Sequence, residues 1–306
     1  MSMIVSTSPH FRSKVDTTSI MRDVVIALIP ALIASVIFFG FRALLVTVVC
    51  VAAAVLTEYI YEKGCKLPVT IGDWSAVVTG VLLAYNLPVS IPLWQAALGS
   101  VIAILVVKQL FGGLGRNFAN PAIVGRIILF LSFSKTMTAW TFPDGVSTAT
   151  PLAVMKAGNV AALSKLDLFL GNIGGCLGEV SALALLIGFI YLLVRRVISW
   201  HTPVVYIATV FVLSFLLGGS FDYALCQILS GGLFLGAIFM ATDYSTTPST
   251  RWGQVIFGLG CGLLTILIRQ WGAYAEGVSF AILFMNILTP YISKWTRSKP
   301  LGGAKA

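Results

Sequence analysis

The sequence predicts an all-α integral membrane protein of about ten transmembrane helices. Three observations predict it. Of 306 residues, 58% are hydrophobic and 10% charged, where soluble domains carry about a quarter charged residues, and mean hydropathy is +0.96. Apolar windows recur along the whole chain, and at ~1.5 Å per residue roughly 20 such residues cross a ~30 Å hydrocarbon layer. Basic residues, finally, divide unequally between alternate connections, as membrane orientation requires.

The windows run at about 23–40, 43–61, 73–87, 93–111, 121–134, 176–194, 203–218, 223–241, 253–269 and 277–293. The third and fifth are short for a full crossing, and both adjoin breaker-rich stretches, AYNLPVSIP and FGGLGRNFANPA. Interrupted segments survive at membrane depth only where protein or a cavity covers the freed backbone groups. With a cytoplasmic N-terminus, fourteen Lys and Arg residues fall on the cytoplasmic side and five on the other, Arg126 lying inside the fifth window. Both termini are therefore expected in the cytoplasm, with the long connection 135–175 outside. The same distribution accounts for the net charge of +9 and removes the case for nucleic-acid binding. No cleavable signal peptide is expected, because the first twenty residues lack an apolar core.

At an offset of 161 residues, Gly99 falls on Gly260, Lys108 on Arg269 and Gln109 on Gln270. Coincidence accounts for so few matches as well as a repeat does. Two groups of five helices would, however, enter the membrane from opposite faces, the inverted plan that builds sites at the midplane. The division expected is a first five-helix repeat over 1–134, an outer loop over 135–175 and a second repeat over 176–306.

The five cysteines have no metal or redox spacing and read as small apolar residues, and the two histidines are too few for a metal site. Glu58, Asp73, Asp222, Asp243 and Glu276 fall near window ends, where capping or solvation explains each as well as function does. Within DGVSTATPLAV, Thr150 before Pro151 makes a good helix start, threonine capping and proline at the first helical position. The same exposed hydroxyl, beside small Ala149, also suits attachment of a phosphoryl group.

Five ordered motifs carry a family resemblance across nearly the whole chain: PLWQAALG at 92–99, KQLFGGLGRNFANPAIVGR at 108–126, STATPL at 147–152, GNIGGCLGEVSALALLIG at 171–188 and GAIFMATDYSTTP at 236–248. On these the chain resembles the D subunits of Rnf complexes, the membrane-bound ferredoxin:NAD+ oxidoreductases of bacteria. More distantly it is similar to the B subunits of Na+-translocating NADH:quinone oxidoreductases. The resemblance implies a subunit of the bacterial cytoplasmic (inner) membrane that relays electrons through flavin, coupled to Na+ or H+ translocation. It implies FMN joined by a phosphoester to Thr150, the last residue of a Ser/Thr-Gly-Ala-Thr type motif, installed by a flavin transferase. This chain carries Thr148 where glycine often stands, so Ser147 and Thr148 are neighbouring hydroxyls in the same cofactor-binding set.

Gly174, Gly175 and Glu179 are expected on the same face as Thr150, at the start of the sixth window, with Glu179 in a first helical turn. Asn117 and Asn120 are expected either to hold a second, non-covalent flavin such as riboflavin from the opposite face or to act as caps in a glycine-rich turn, and Arg126, closing that motif, joins the cofactor-binding residues. Implied partners are the other Rnf subunits, especially the outward-facing, FMN-carrying G subunit and the membrane A and E subunits. Two other classes stay open on the residues alone: a solute channel or carrier of urea-channel-like architecture, and a structural scaffold for the complex.

Overall fold

Residues 16–140, 150–158, 163–274 and 276–297 are described in a computed structural model, so Ser147 and Thr148 lie outside the described residues. Among these residues the chain forms helices and no strand. They are α1 (Thr17–Phe39), α2 (Phe41–Gly64), α3 (Ser75–Tyr85), α4 (Leu93–Ile102), α5 (Pro121–Ser132), α6 (Ser134–Met137) and α7 (Pro151–Lys156). There follow α8 (Lys165–Leu170), α9 (Ala182–Val194), α10 (His201–Gly218), α11 (Phe221–Leu229), α12 (Leu233–Leu235), α13 (Arg251–Trp271) and α14 (Val278–Trp295). α4 and α12 each run on as a π-helical stretch, Ala103–Gln109 and Gly236–Met240.

Every predicted window holds helix. Four helices, α1, α2, α10 and α13, are long and apolar enough to cross a membrane alone, and a fifth if α11 and α12 count as one bent span. α3, α5, α9 and α4 with its extension are shorter apolar helices. Large apolar side chains such as Ile37, Val194, Leu216 and Trp271 face outward, the reverse of a soluble surface.

Local chemistry sets many of the ends. Asp16 and Ser19 form a reciprocal capping box at the start of α1. Asn120 caps α5 ahead of Pro121, and Ser181 and Thr250 cap α9 and α13. Between α1 and α2 the chain reverses on Gly40 alone, whose φ of +73° favours glycine.

One half of the bundle groups α2, α3, α4 and α5, the other α10, α11, α13 and α14, and the halves meet through α1 against α9 and α5 against α14. Glycines let the backbones approach at these crossings. A Cβ on Gly188 of α9 would stand 2.3 Å from the Ala27 carbonyl oxygen of α1, and one on Gly125 of α5 2.9 Å from that of Gly99 in α4.

The eighth window departs from expectation: instead of one helix it holds α11 and α12, bent by 65° at Ser230–Gly232. The third and fifth windows, expected to be interrupted, are short helices at 75–85 and 121–132 flanked by irregular chain. The helix of the sixth window, α9, starts only at Ala182, so 171–181 is an irregular and mostly buried connection.

Two cations counted by sequence toward the membrane faces, Lys108 and Arg269, are buried instead. Lys108, 1% exposed, donates from Nζ to Glu58 Oε1 at 2.6 Å and to Ser75 Oγ at 2.6 Å. Glu58 is fully buried and accepts a further bond from Gln109 Nε2 at 3.0 Å, so neither capping nor solvation explains it. Arg269 donates to the carbonyls of Gln227 (2.6 Å) and Ser230 (3.1 Å), two groups released by the α11–α12 break. Lys108 lies near the end of the extension of α4 and Arg269 near the end of α13, and both are buried cations. Capping does suit Asp73, whose Oδ1 accepts the Ser75 N–H at 2.8 Å, and Asp243 closes a polar turn with Ser245 and Thr246.

Replacing Lys108 with Met leaves Glu58 as an uncompensated buried charge, which costs about 3–5 kcal/mol. Thermal unfolding in detergent should show a clear loss for Lys108→Met alone, and Lys108→Met with Glu58→Met should recover most of it.

Candidate functional site

A cleft of about 220 Å³ opens at the end of the bundle where α5 finishes and α14 begins. Thr150 borders it, half-buried, and caps α7 through Oγ1, which accepts the Ala153 N–H at 3.3 Å. Of the two sequence readings of Thr150, the helix cap is present, and the capping residue also borders the cleft. α7 itself is held down by Lys156, whose Nζ donates to the Gly272 carbonyl at 2.6 Å beyond the end of α13.

The floor of the cleft is ionic. Arg126, in the middle of α5, pairs through Nη2 with Glu276, while Nη1 donates to Asn86 Oδ1 at 2.9 Å and Ser279 Oγ at 2.7 Å. An intramembrane arginine has to be neutralised in this way or be excluded. Glu276 Oε1 also accepts the N–H of Gly232 at 2.8 Å, which ties the start of α14 to the α11–α12 break. Glu179 is 8% exposed; Oε1 accepts the Cys176 N–H at 3.1 Å and Oε2 is buried without a partner.

One wall is aromatic. Tyr274 and Phe280 stack with centroids 5.6 Å apart at 8°, and Phe130 meets Tyr274 edge-on at 4.9 Å. Trp140 lines the cleft as well. The connection 171–181 completes it, Gly174 and Gly175 lying on the surface of the cleft. Its path is fixed by main-chain bonds to the end of α3, Gly178 N–H to Tyr85 O and Leu177 N–H to Leu87 O, each 3.0 Å.

Five expected residues, Thr150, Gly174, Gly175, Glu179 and Arg126, thus meet in one cleft. Two details change. Glu179 belongs to the connection and bonds to its own loop, not to a first helical turn. Arg126 closes the motif that carries Asn117 and Asn120 but faces the other cleft.

Asn117 and Asn120 line a second, smaller cleft of about 90 Å³ at the opposite end of the bundle, with Lys108, Ser75 and Asp243. Asn120 is largely committed, capping α5 through Ala122 N–H at 3.0 Å and donating to Met240 O at 3.4 Å. Asn117 Oδ1 is buried without a partner. The two clefts approach one another along α5: Asn120 and Arg126 are six residues apart, about 9 Å at 1.5 Å per residue.

Glu276, Ser279, Asn86 and the Tyr274–Phe280 pair were not assigned to the site from sequence. A signal existed for the first, since an arginine inside an apolar window demands an acid, and Glu276 is one of few available.

The fold and clefts define a helical membrane protein with two largely apolar cavities sunk from opposite ends, each with buried charged groups in its lining. Residues 4–302 match the family described as NQR2, RnfD, RnfE, and the chain belongs to that family. It is 48% identical to the D subunit of the Na(+)-translocating ferredoxin:NAD(+) oxidoreductase complex of Acetobacterium woodii, covering 100% of this chain and 97% of that one. It is 43% identical to the D subunit of the proton-translocating ferredoxin:NAD(+) oxidoreductase complex of Clostridium ljungdahlii, over 97% and 96% of the two chains. To the D subunit of the ion-translocating oxidoreductase complex of Alcanivorax borkumensis it is 35% identical, over 99% and 97%.

A methyl group at Gly178 would stand 2.2 Å from the Tyr85 ring, whose hydroxyl is fixed on the Leu28 carbonyl at 2.8 Å. Gly178→Ala should cost about 1–3 kcal/mol by overpacking. Hydrogen exchange should show the loss as reduced protection of the Leu177 and Gly178 amides.

Proposed function

We propose that this chain is the membrane D-type subunit of an ion-translocating ferredoxin:NAD+ oxidoreductase complex and carries FMN on Thr150 through a phosphoester bond. The observation that carries the proposal is the position of the Thr150 hydroxyl at the mouth of an aromatic-walled cleft. Full-length similarity to D subunits so named supports the assignment to the complex.

The residues present fit a flavin. A flat aromatic wall matches a tricyclic ring, and the unpartnered Glu179 Oε2 is the kind of buried atom that a ring with a polar edge satisfies. The phosphate end would be held by Thr150 at the rim, and the ring by Tyr274, Phe280 and the glycine surface at Gly174 and Gly175. Bound flavin supplies one- and two-electron redox chemistry, and the protein supplies position, charge and insulation. Arg126 and Glu276 keep the floor rigid and electrically balanced. Lys156 and the Thr150 cap hold α7 in place across the mouth.

The second cleft is proposed to hold a non-covalent flavin such as riboflavin through Asn117, whose Oδ1 is free to accept, and Asn120. The ten helical windows are read as ten crossings in two inverted five-helix repeats, over 1–134 and 176–306 with the outer loop 135–175 between. The matching burial of Lys108 and Arg269 and the paired contacts α1–α9 and α5–α14 support this reading. In it both termini are cytoplasmic, in a bacterial inner membrane, and Thr150 faces outward toward the FMN-carrying G subunit, with the A and E subunits beside it in the bilayer. A flavin transferase matures the chain.

Made in a host with the transferase, the denatured wild-type chain should fluoresce as a flavoprotein in a gel. Thr150→Ala should be dark, while Ser147→Ala and Thr148→Ala should remain bright. A wild-type chain bare at residue 150, together with solute flux through the isolated subunit, would instead favour the channel reading.

Asn117→Ala should weaken retention of the extractable flavin by roughly 2- to 12-fold, the worth of one hydrogen bond. Equilibrium dialysis of riboflavin against the two proteins measures it.

A further inference from the structure

Gly232, at the α11–α12 break, marks a point where two carboxylates converge. A Cβ built there would lie 2.6 Å from Glu276 Oε1 and 2.7 Å from Glu179 Oε2, so those oxygens are within about 5 Å of each other. The two acids are not equivalent. Glu276 has a guanidinium on one oxygen and a backbone N–H on the other, both of which favour its anion. Glu179 has one backbone N–H on Oε1 and nothing on Oε2, although it is more than nine-tenths buried and lines the cleft.

A second negative charge this close, in a site removed from water, is unfavourable unless something positive or a proton lies between. The other charged or titratable groups facing the pair are Arg126 of α5, Arg269 of α13, Cys176 in the same connection and Tyr274 ahead of α14. Arg126 is committed to Glu276, and Arg269 to the carbonyls of Gln227 and Ser230.

We propose that Glu179 is a proton-holding group: its Oε2 carries a proton, which relieves the repulsion from Glu276, and exchanges it with the cleft when the charge of the bound group changes. This deepens the flavin reading, which it takes as the source of that change. If a bound group gained an electron, the O–H bond on Oε2 would break and the proton would move toward the added charge; Glu179, left as a carboxylate, would take a replacement proton from water at the mouth of the cleft. On re-oxidation the extra proton would leave to that water, Glu179 being already reprotonated. Both acids sit in connections, Glu179 in 171–181 and Glu276 just ahead of α14.

The test uses the full chain made without the flavin transferase, so that its failure is separable from failure of the Thr150 assignment. Infrared spectroscopy should show a protonated-carboxyl C=O stretch that shifts in D2O and vanishes as pH rises. The band should be absent in Glu179→Gln at every pH and present in Glu58→Gln, which separates it from the buried acid of the Lys108 pair. In the flavin-loaded complex, the flavin midpoint potential should fall with rising pH in wild type and stay flat in Glu179→Gln. Should the glutamine variant fail to fold, the D2O shift and pH dependence of the wild-type band still decide. No such band at any pH overturns the proposal, as does a band unchanged in Glu179→Gln. A band that emerges only when Na+ is withdrawn overturns it in favour of a bound cation.

Discussion

Arg126 sits in the middle of α5, among apolar residues, and a charge in that position has to be neutralised by a fixed partner. Glu276 does so from the start of α14, and the rest of the cleft follows from the pairing. Because Glu276 also accepts the Gly232 N–H, a single carboxylate joins α5, α14 and the α11–α12 break. Asn86 and Ser279 complete the donor set of the arginine. Breaking such a network leaves a lone charge where lipid and protein offer no water, so the junction is rigid by necessity.

The same requirement shapes the other irregular parts of the chain. A helix broken at membrane depth exposes carbonyls and amides that need partners. At α11–α12 they find Arg269 and Glu276; at 171–181 they find the end of α3. These breaks are where side chains of different helices converge, and so the cleft lies among them. The cavity is a consequence of interrupted helices whose polar ends are satisfied by side chains instead of by another turn.

α5 has a further consequence for how the two clefts relate. Its first residues face one cleft and its middle faces the other, about 9 Å away along the axis. Groups held at the two ends are therefore separated by a thin septum that includes Asn86, Met240 and Asn120. A short helix is what makes this possible, since a full-length one would place a thicker apolar layer between the cavities. What insulates them is packing, with Met240 and Asn120 both buried.

The apolar windows determined by themselves that the chain is a helical membrane protein, because their length and composition allow no other way to satisfy the backbone in lipid. Thr150, with Pro151 behind it, was legible as a cap, and Gly174, Gly175 and Glu179 as its neighbours through their motif. The break at Ser230–Gly232 was less so, since a glycine pair in an apolar run does not say which way the chain turns. Nor does sequence say that Lys108 and Arg269 leave the solvent, as that depends on Glu58, Gln227 and Ser230 arriving from distant positions. Tertiary structure alone decided that Arg126 faces Glu276 and not the asparagines of its own motif. A residue's place along a helix is written in the chain, but the direction it faces is set by which neighbours pack against that helix.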